Sequence, residues 1–95
     1  MNLITFKNPS ILAWLEAKGI TGERREYVTP NDIAHRHVYG HLPLWLAAYT
    51  ERISEVSMPR LSREARQRLN DGQLTVAEMD AAGAYIATYQ VRNAG

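Results

Sequence analysis

Cysteine is absent from this 95-residue chain, and neither sign of charge dominates it. Without cysteine the chain has no disulfide framework and no thiolate to act as a nucleophile or metal ligand. The net charge is +1, from 11 basic and 10 acidic residues, whereas proteins that follow a nucleic-acid backbone carry a basic excess or stripe. The composition therefore disfavours binding to long duplex DNA, while a small anionic ligand needs only a few positive groups.

Long apolar runs are missing as well. No stretch approaches the roughly 18 consecutive apolar residues of a membrane span, and the first six residues lack the basic leader and apolar core of a secretory signal. We therefore expect a cytoplasmic protein without a membrane partner. A chain of 95 residues has room for one domain, residues 1–95, and buries a limited fraction of its surface. Because the segment over residues 44–50 is apolar nearly all round, we expect it to be buried or to form a homodimer interface.

Hydrophobic patterning and turn residues predict strands that alternate with helices. Strands are predicted over residues 3–6, 24–28, 37–40 and 53–58. Helices are predicted over residues 9–18, 44–50 and 63–69, with a long C-terminal helix over 76–91 that Gly83 interrupts. This order favours an α/β fold with a mostly parallel four-stranded sheet and helices on both faces.

Local capping signals support the predicted helix boundaries. Asn8 is a suitable N-cap, with Pro9 at the first helical position, and Gly19 is a natural helix stop. Thr75 and Glu78 form the sequence signature of a capping box, in which the two residues satisfy each other's free amides.

Two turns lie where a predicted strand ends and a predicted helix begins. The first is Lys7-Asn8-Pro9-Ser10 and the second is Gly40-His41-Leu42-Pro43. Free amides and the positive dipole end of a helix attract phosphate, Lys7 adds a full charge, and Gly40 allows a close approach to the backbone. Both turns are expected to face the crevice where open α/β sheets bind ligands. The expected ligand contacts are Phe6, Pro9, Ser10, Gly40, Leu42 and Pro43. Neither turn matches a phosphate-loop or dinucleotide fingerprint, which disfavours ATP hydrolysis and NAD chemistry.

Histidine and tyrosine alternate along the third predicted strand, at His35, His37, Tyr39 and His41, so an extended segment would place them on one face. A His-x-His pair can bind zinc, but the sequence offers no cysteine and no third ligand at a matching spacing. We therefore expect no metal site and no other cofactor. His41 differs because it lies in the turn, and imidazole is the side chain most easily poised for acid–base chemistry near neutral pH.

In order and spacing, these motifs resemble a small family of type III CRISPR accessory proteins, the ring nucleases that degrade cyclic oligoadenylate messengers. In that family the first strand leads into an Arg-His-Pro-Gly turn with tryptophan four residues on, and here Lys7-Asn8-Pro9-Ser10 is followed by Trp14. The family's third strand ends in Gly-Thr-Leu-Pro before a Leu-Ala-Ala helix, and here Gly40-His41-Leu42-Pro43 precedes Leu46-Ala47-Ala48. The C-terminal resemblance lies in Gln73-Leu74-Thr75, Glu78-Met79, Gly83-Ala84, Tyr89 and Val91.

The resemblance implies a small Rossmann-like (CARF-like) domain that forms a homodimer, binds cyclic oligoadenylate and cleaves it without a metal, in antiviral defence. A ribose 2′-hydroxyl would attack the neighbouring phosphate and leave a 2′,3′-cyclic phosphate end. The catalytic positions fall on Lys7, Asn8 and His41. Lys7 keeps the charge of the family's arginine but not its bidentate geometry, Asn8 replaces a histidine, Ser10 a glycine and His41 a threonine. Two alternatives stay open: a cyclic-nucleotide sensor or sponge that does not cut, and a small dimeric interaction protein.

Overall fold

In the computed structural model, which describes residues 2–95, short strands alternate with helices along most of the chain. The elements are β1 (Leu3–Ile4), α1 (Pro9–Ala17), β2 (Glu23–Arg24), α2 (Pro30–Ile33), β3 (His37–Tyr39), α3 (Leu44–Ala47), β4 (Arg52–Ser57), α4 (Arg63–Asn70), α5 (Val76–Ala81) and β5 (Tyr85–Tyr89). Within these residues the strands form a 5-stranded sheet in the order β2-β1-β3-β4-β5. β1 pairs in parallel with β2 and β3, and β3 pairs in parallel with β4. The sheet as a whole is mixed. Since the other three pairs are parallel, the remaining pair, β4 with β5, is antiparallel.

The α/β class predicted from the sequence is confirmed, but the four-stranded, mostly parallel Rossmann-like sheet is not. The difference arises at the C-terminal end of the chain, where a helix over residues 76–91 is a wrong prediction. α5 ends at Ala81, and Gly83 has a φ of +78°, which favours glycine and stops the helix. The residues of β5 are mostly aromatic or β-branched, and such residues fit a strand well.

Gly83 ends α5 beside the side chain of Arg60. A Cβ built at Gly83 would lie 2.9 Å from the Arg60 guanidinium carbon, closer than real Cβ contacts come. Gly83 therefore terminates a helix instead of interrupting one.

The capping signals are confirmed where the sequence places them. Gly19 follows α1 with a φ of +79°, and the Thr75 hydroxyl accepts the Glu78 N–H at 3.1 Å. Thr29 precedes α2 as its N-cap residue. There the carboxylate of Asp32 accepts the Thr29 N–H at 2.7 Å, which caps this short helix.

The chain divides into two compact units. The first contains the residues up to Phe6, Gly22–Glu55 and Ala87–Gly95, and the second contains Lys7–Thr21 and Val56–Ile86. This division does not test the prediction of one domain over residues 1–95, which stays a prediction. Among residues 2–95, no helix has the length and apolarity to cross a membrane.

The core of the first unit is built on the parallel strands. Leu3 pairs with Val38 in the register of β1 and β3, and Val38 pairs with Ile53 in the register of β3 and β4. Residues paired in register share a face of the sheet, so these three buried side chains form one apolar surface. The same core cluster includes Ile33, Leu46 and Ala47 from the helical segments.

The second unit is built on contacts between α1 and α5. Trp14 is buried, and its Nε1 donates to a carboxylate oxygen of Asp80 at 2.9 Å. Lys18 pairs with the same carboxylate at 3.0 Å. The Trp14 hydrogen bond, followed by that of Lys18, lowers the pKa of Asp80. Trp14 therefore acts as a core residue with a satisfied polar edge.

We expect Glu78 to contribute stability that is lost in acid. The Arg68 guanidinium is the largest cause that lowers the pKa of Glu78 from 4.5 to about 2, and the amide and hydroxyl of Thr75 add to it. A lowered folded-state pKa stabilises the fold fully above the unfolded value and progressively less as pH falls through the folded value. Glu78→Gln should therefore reduce stability at neutral pH and flatten its decline between about pH 4.5 and 2.

Urea unfolding followed across this pH range measures the effect. Glu16→Gln, at an exposed glutamate of α1, is the matched control and should keep the wild-type acid dependence. If Glu78→Gln and the wild type lost stability in parallel over this range, the assigned role of Glu78 would be wrong.

Candidate functional site

β3 ends at a close contact between neighbouring chain segments. The Gly40 N–H donates to the Ser54 carbonyl at 3.0 Å, and the Thr5 N–H donates to the Tyr39 carbonyl at 2.9 Å. A Cβ at Gly40 would lie 1.7 Å from Oγ1 of Thr5 and 3.1 Å from its Cβ. The packing of Thr5 therefore requires glycine at position 40. The sequence analysis had given a different reason for this glycine, namely the close approach of a ligand to the backbone.

His41 forms a pair with a carboxylate that the sequence analysis did not include. Tyr39 and Ser54 are partners in the register of β3 and β4, so the residues that follow them, Gly40 and Glu55, are neighbours. His41 Nδ1 lies 3.1 Å from an oxygen of Glu55. The His41 ring also packs edge-on against Phe6, with centroids 5.3 Å apart and planes at 90°.

These two contacts orient the imidazole while leaving it accessible to a ligand. The side chain of His41 is 65% exposed and that of Glu55 is 43% exposed. When a carboxylate accepts from Nδ1–H, the other ring nitrogen, Nε2, is left as the acceptor of the neutral imidazole and becomes a donor when the ring is protonated. Such a pair can give or take a proton at Nε2, which is the chemistry of a general acid or base.

A cavity of about 460 Å³ is lined by residues of the first unit, among them Glu55 but not His41. Glu55 forms part of its wall, and its apolar lining includes Leu42, Ala47, Ile53 and Val91. Small-molecule sites are mostly apolar clefts of roughly 300–1,000 Å³ with a few convergent polar groups. The cavity therefore has the size and lining of a ligand site.

In the first turn the polar side chains of Asn8 and Ser10 bind to the backbone of the chain itself. Asn8 caps α1, because its Oδ1 accepts the Ser10 N–H at 2.9 Å and its Nδ2 donates to the Leu69 carbonyl at 2.7 Å. Ser10 is buried, and its hydroxyl accepts the Leu74 N–H at 2.9 Å. The polar atoms of Asn8 and Ser10 thus hold the second unit together. Lys7 and Pro9 are exposed.

The predicted site residues are distributed over both units. Phe6, Gly40, His41, Leu42 and Pro43 lie in the first unit, and Lys7, Asn8, Pro9 and Ser10 lie in the second. Within the first unit Phe6 and His41 are in contact, and Leu42 packs against the core while Pro43 precedes α3. That the two turns face one crevice stays a prediction.

Glu55 carried a recognisable signal in the sequence. Alternate residues of a strand share a face, so Ile53 and Glu55 lie on the same side of β4. Ile53 belongs to the apolar core, and a charged residue on the core face of a strand calls for a partner. The alternation of β4 could therefore have marked Glu55 as a candidate, although its partner depends on strand register.

His37 belongs to a separate hydrogen-bonded chain. Its Nε2 lies 2.6 Å from the hydroxyl of Ser54, which lies 2.7 Å from the hydroxyl of Thr88. The predicted shared face is observed for His37 and Tyr39, whose rings stack at 4.5 Å. Burial, with a contribution from the positive charge of Arg52, lowers the pKa of His37. Among residues 2–95, no group of three or more His, Cys, Asp or Glu side chains is placed to hold a metal ion.

The fold and the site together define an α/β protein with a histidine–carboxylate pair beside an apolar cavity. In comparisons with known proteins, no family model, curated protein or solved structure matches the chain.

Gly40→Ala is expected to destabilise the fold, because the new Cβ would overlap Oγ1 of Thr5. Overpacking of this kind typically costs about 1–3 kcal/mol. Thr5→Ala removes the overlapping oxygen, so the double variant should be more stable than Gly40→Ala alone. Urea unfolding of the wild type, both single variants and the double variant gives the coupling energy. Purely additive effects would contradict the assigned contact.

Proposed function

We propose that this chain is a ring nuclease, a phosphodiesterase that binds cyclic oligoadenylate and cleaves it without a metal ion. The observation that carries the proposal is the His41–Glu55 pair, with its 3.1 Å contact beside the cavity of the first unit. His41 lies in the motif Gly40-His41-Leu42-Pro43, at the position where the ring nucleases have threonine, so the histidine of this pair departs from the family pattern. A Rossmann-like (CARF-like) domain is part of the same proposal, supported by the parallel pairing of β2, β1, β3 and β4.

In the proposed reaction a ribose 2′-oxygen forms a bond to the adjacent phosphorus while the bond from phosphorus to the 5′-oxygen breaks. Protonated His41 gives the proton on Nε2 to the leaving 5′-oxygen, and the proton of the 2′-hydroxyl passes to solvent. The products are a 2′,3′-cyclic phosphate and a 5′-hydroxyl. General acid catalysis of this type typically contributes about 10²–10⁴-fold.

Glu55 is a positioning residue in this scheme. It contacts the imidazole at Nδ1, which leaves Nε2 to face the leaving group. Arg92 also lines the cavity and supplies a positive charge for the phosphate, where transition-state charge develops. A role for Lys7 in holding phosphate rests on its position in the first turn and its resemblance to the family's arginine.

Binding without cleavage is the second candidate, and the first turn favours it. Asn8 occupies the position of the family's histidine, and both its side-chain oxygen and nitrogen are engaged in capping α1 and bonding Leu69. That turn therefore offers no acid–base group of its own. A chain that kept the cavity but lacked an effective acid at His41 would sense or sequester the ligand.

A homodimer in the cytoplasm remains part of the proposal. α3 buries Leu46 and Ala47 but leaves Leu44 and Trp45 largely exposed, and Tyr49 beyond its end is exposed as well. Exposed aromatic and aliphatic side chains of this kind are typical of the centre of protein interfaces. They support the homodimer and also agree with the alternative of a small interaction protein.

Incubation with a panel of cyclic oligoadenylates should give products that carry a 2′,3′-cyclic phosphate, and activity should persist in EDTA. A ring whose 2′-hydroxyls are methylated should bind and remain intact, because the attacking group is blocked. Chromatography with mass spectrometry identifies the products. Loss of cleavage in EDTA with recovery on adding magnesium or manganese would refute the mechanism, and retention of every ring without products would favour the sensor.

His41→Gln should lower the single-turnover cleavage rate by about 10²–10⁴-fold while leaving ring affinity nearly unchanged. In the wild type the rate should fall as pH rises, because a general acid must carry its proton, and His41→Gln should flatten this decline. Glu55→Gln should lower the rate less than His41→Gln and should keep the decline of the rate with pH.

His35→Asn is the matched control, because His35 is exposed and lies outside the site. His35 has a φ of 60°, a backbone conformation that asparagine tolerates. Full turnover with unchanged pH dependence in His41→Gln would exclude histidine as the acid.

A further inference from the structure

The cavity of the first unit has a larger apolar lining than acid catalysis at His41 requires. Ile53 belongs to the buried core cluster, and Val91 packs against that cluster. Both line the cavity, together with Ala47 of α3. Because core side chains are held in place by close packing, this part of the cavity is rigid and suits a flat, rigid group. A ligand that binds there loses little conformational freedom on binding.

An aromatic side chain also lines the cavity. Tyr89, at the end of β5, lines the cavity and is 53% exposed. A half-exposed ring beside an apolar cavity can stack on a flat heterocycle. Nucleobases bind in this way, since each base has an aromatic face.

The cavity has one acidic and one basic lining residue, Glu55 and Arg92, which suit a ligand with a donor group and an anionic group. An ionised carboxylate only accepts hydrogen bonds, so a ring amino group beside Glu55 is favoured and a ring carbonyl is repelled. The guanidinium of Arg92 suits a phosphate.

We propose that this cavity binds one nucleoside monophosphate unit whose base carries an exocyclic amino group. The base stacks on Tyr89 over the apolar lining, the amino group faces Glu55, and the phosphate pairs with Arg92. This inference deepens the proposed function and rests on it for the place of the unit within a longer ligand. It assigns to Tyr89 a part in recognition that neither the turn motifs nor the proposed reaction includes.

Calorimetric titration with single nucleotides tests the site separately from cleavage. AMP should bind more tightly than IMP, and CMP more tightly than UMP, because each pair differs by an amino group in place of a carbonyl. Ribose 5-phosphate and inorganic phosphate should bind at least tenfold more weakly than AMP, since they lack the base. Equal affinity for AMP and ribose 5-phosphate would overturn the base site, and equal affinity for AMP and IMP would overturn the role of Glu55.

Matched variants locate the contacts. Tyr89→Ala should lower the affinity for AMP roughly tenfold. Tyr89→Phe should keep the wild-type affinity because it retains the aromatic ring. Tyr27→Ala, at an exposed tyrosine of the same unit outside the cavity lining, is the control. Arg92→Gln should lower the affinity for AMP and leave the affinity for adenosine unchanged, because only AMP carries the phosphate. Thermal unfolding of each variant verifies that it is folded. If Tyr89→Ala does not fold, the AMP affinity of folded Arg92→Gln decides whether AMP binds in this cavity: reduced affinity supports the site and unchanged affinity contradicts it.

The outcomes separate this inference from the proposed function. If AMP binds as expected but no ring is cut, the nucleotide site stands and ring cleavage fails. If rings are cut while AMP does not bind and Tyr89→Ala leaves the KM for the ring unchanged, cleavage stands and the nucleotide site is wrong.

Discussion

The register of β3 between β1 and β4 is the constraint on which the rest of the first unit depends. It aligns Leu3, Val38 and Ile53 on one face of the sheet, where they form the apolar core. The same register brings Gly40 beside Glu55, so that His41 in the next position can reach the carboxylate. A slip of one residue would turn Val38 away from the core and would also separate His41 from Glu55. Core stability and site geometry therefore depend on the same strand pairing.

The two turns illustrate how one residue pattern can serve two physical purposes. A polar residue before a helix can hold a phosphate or satisfy the free amides of the helix itself. In the first turn Asn8 does the latter, and the buried hydroxyl of Ser10 binds the Leu74 amide. In the second turn Pro43 precedes α3 and makes no side-chain cap, and His41 instead extends to a residue of the neighbouring strand. The proposed proton transfer therefore belongs to the second turn.

Much of the fold was predictable because local rules govern it. The cap at Asn8, the stop at Gly19 and the capping box of Thr75 and Glu78 depend on neighbours in sequence. β5 was missed because the pattern after Gly83 was interpreted as a continued helix, although its aromatic and β-branched residues favour a strand. His41 could be chosen as a candidate from its position in a turn. Glu55 could not be paired with it, because their contact joins two strands whose register depends on the packing of the whole unit.

The orientation of the His41 ring can be measured directly in solution. Nitrogen-15 correlation spectra of the imidazole rings, assigned with His41→Gln and recorded where histidine is neutral, identify which ring nitrogen carries the proton. The 3.1 Å contact between Nδ1 and Glu55 predicts the Nδ1–H tautomer for neutral His41, and Glu55→Leu should shift the ring towards the other tautomer. An Nε2–H tautomer in the wild type, unchanged by Glu55→Leu, would contradict the pair on which the proposed chemistry depends.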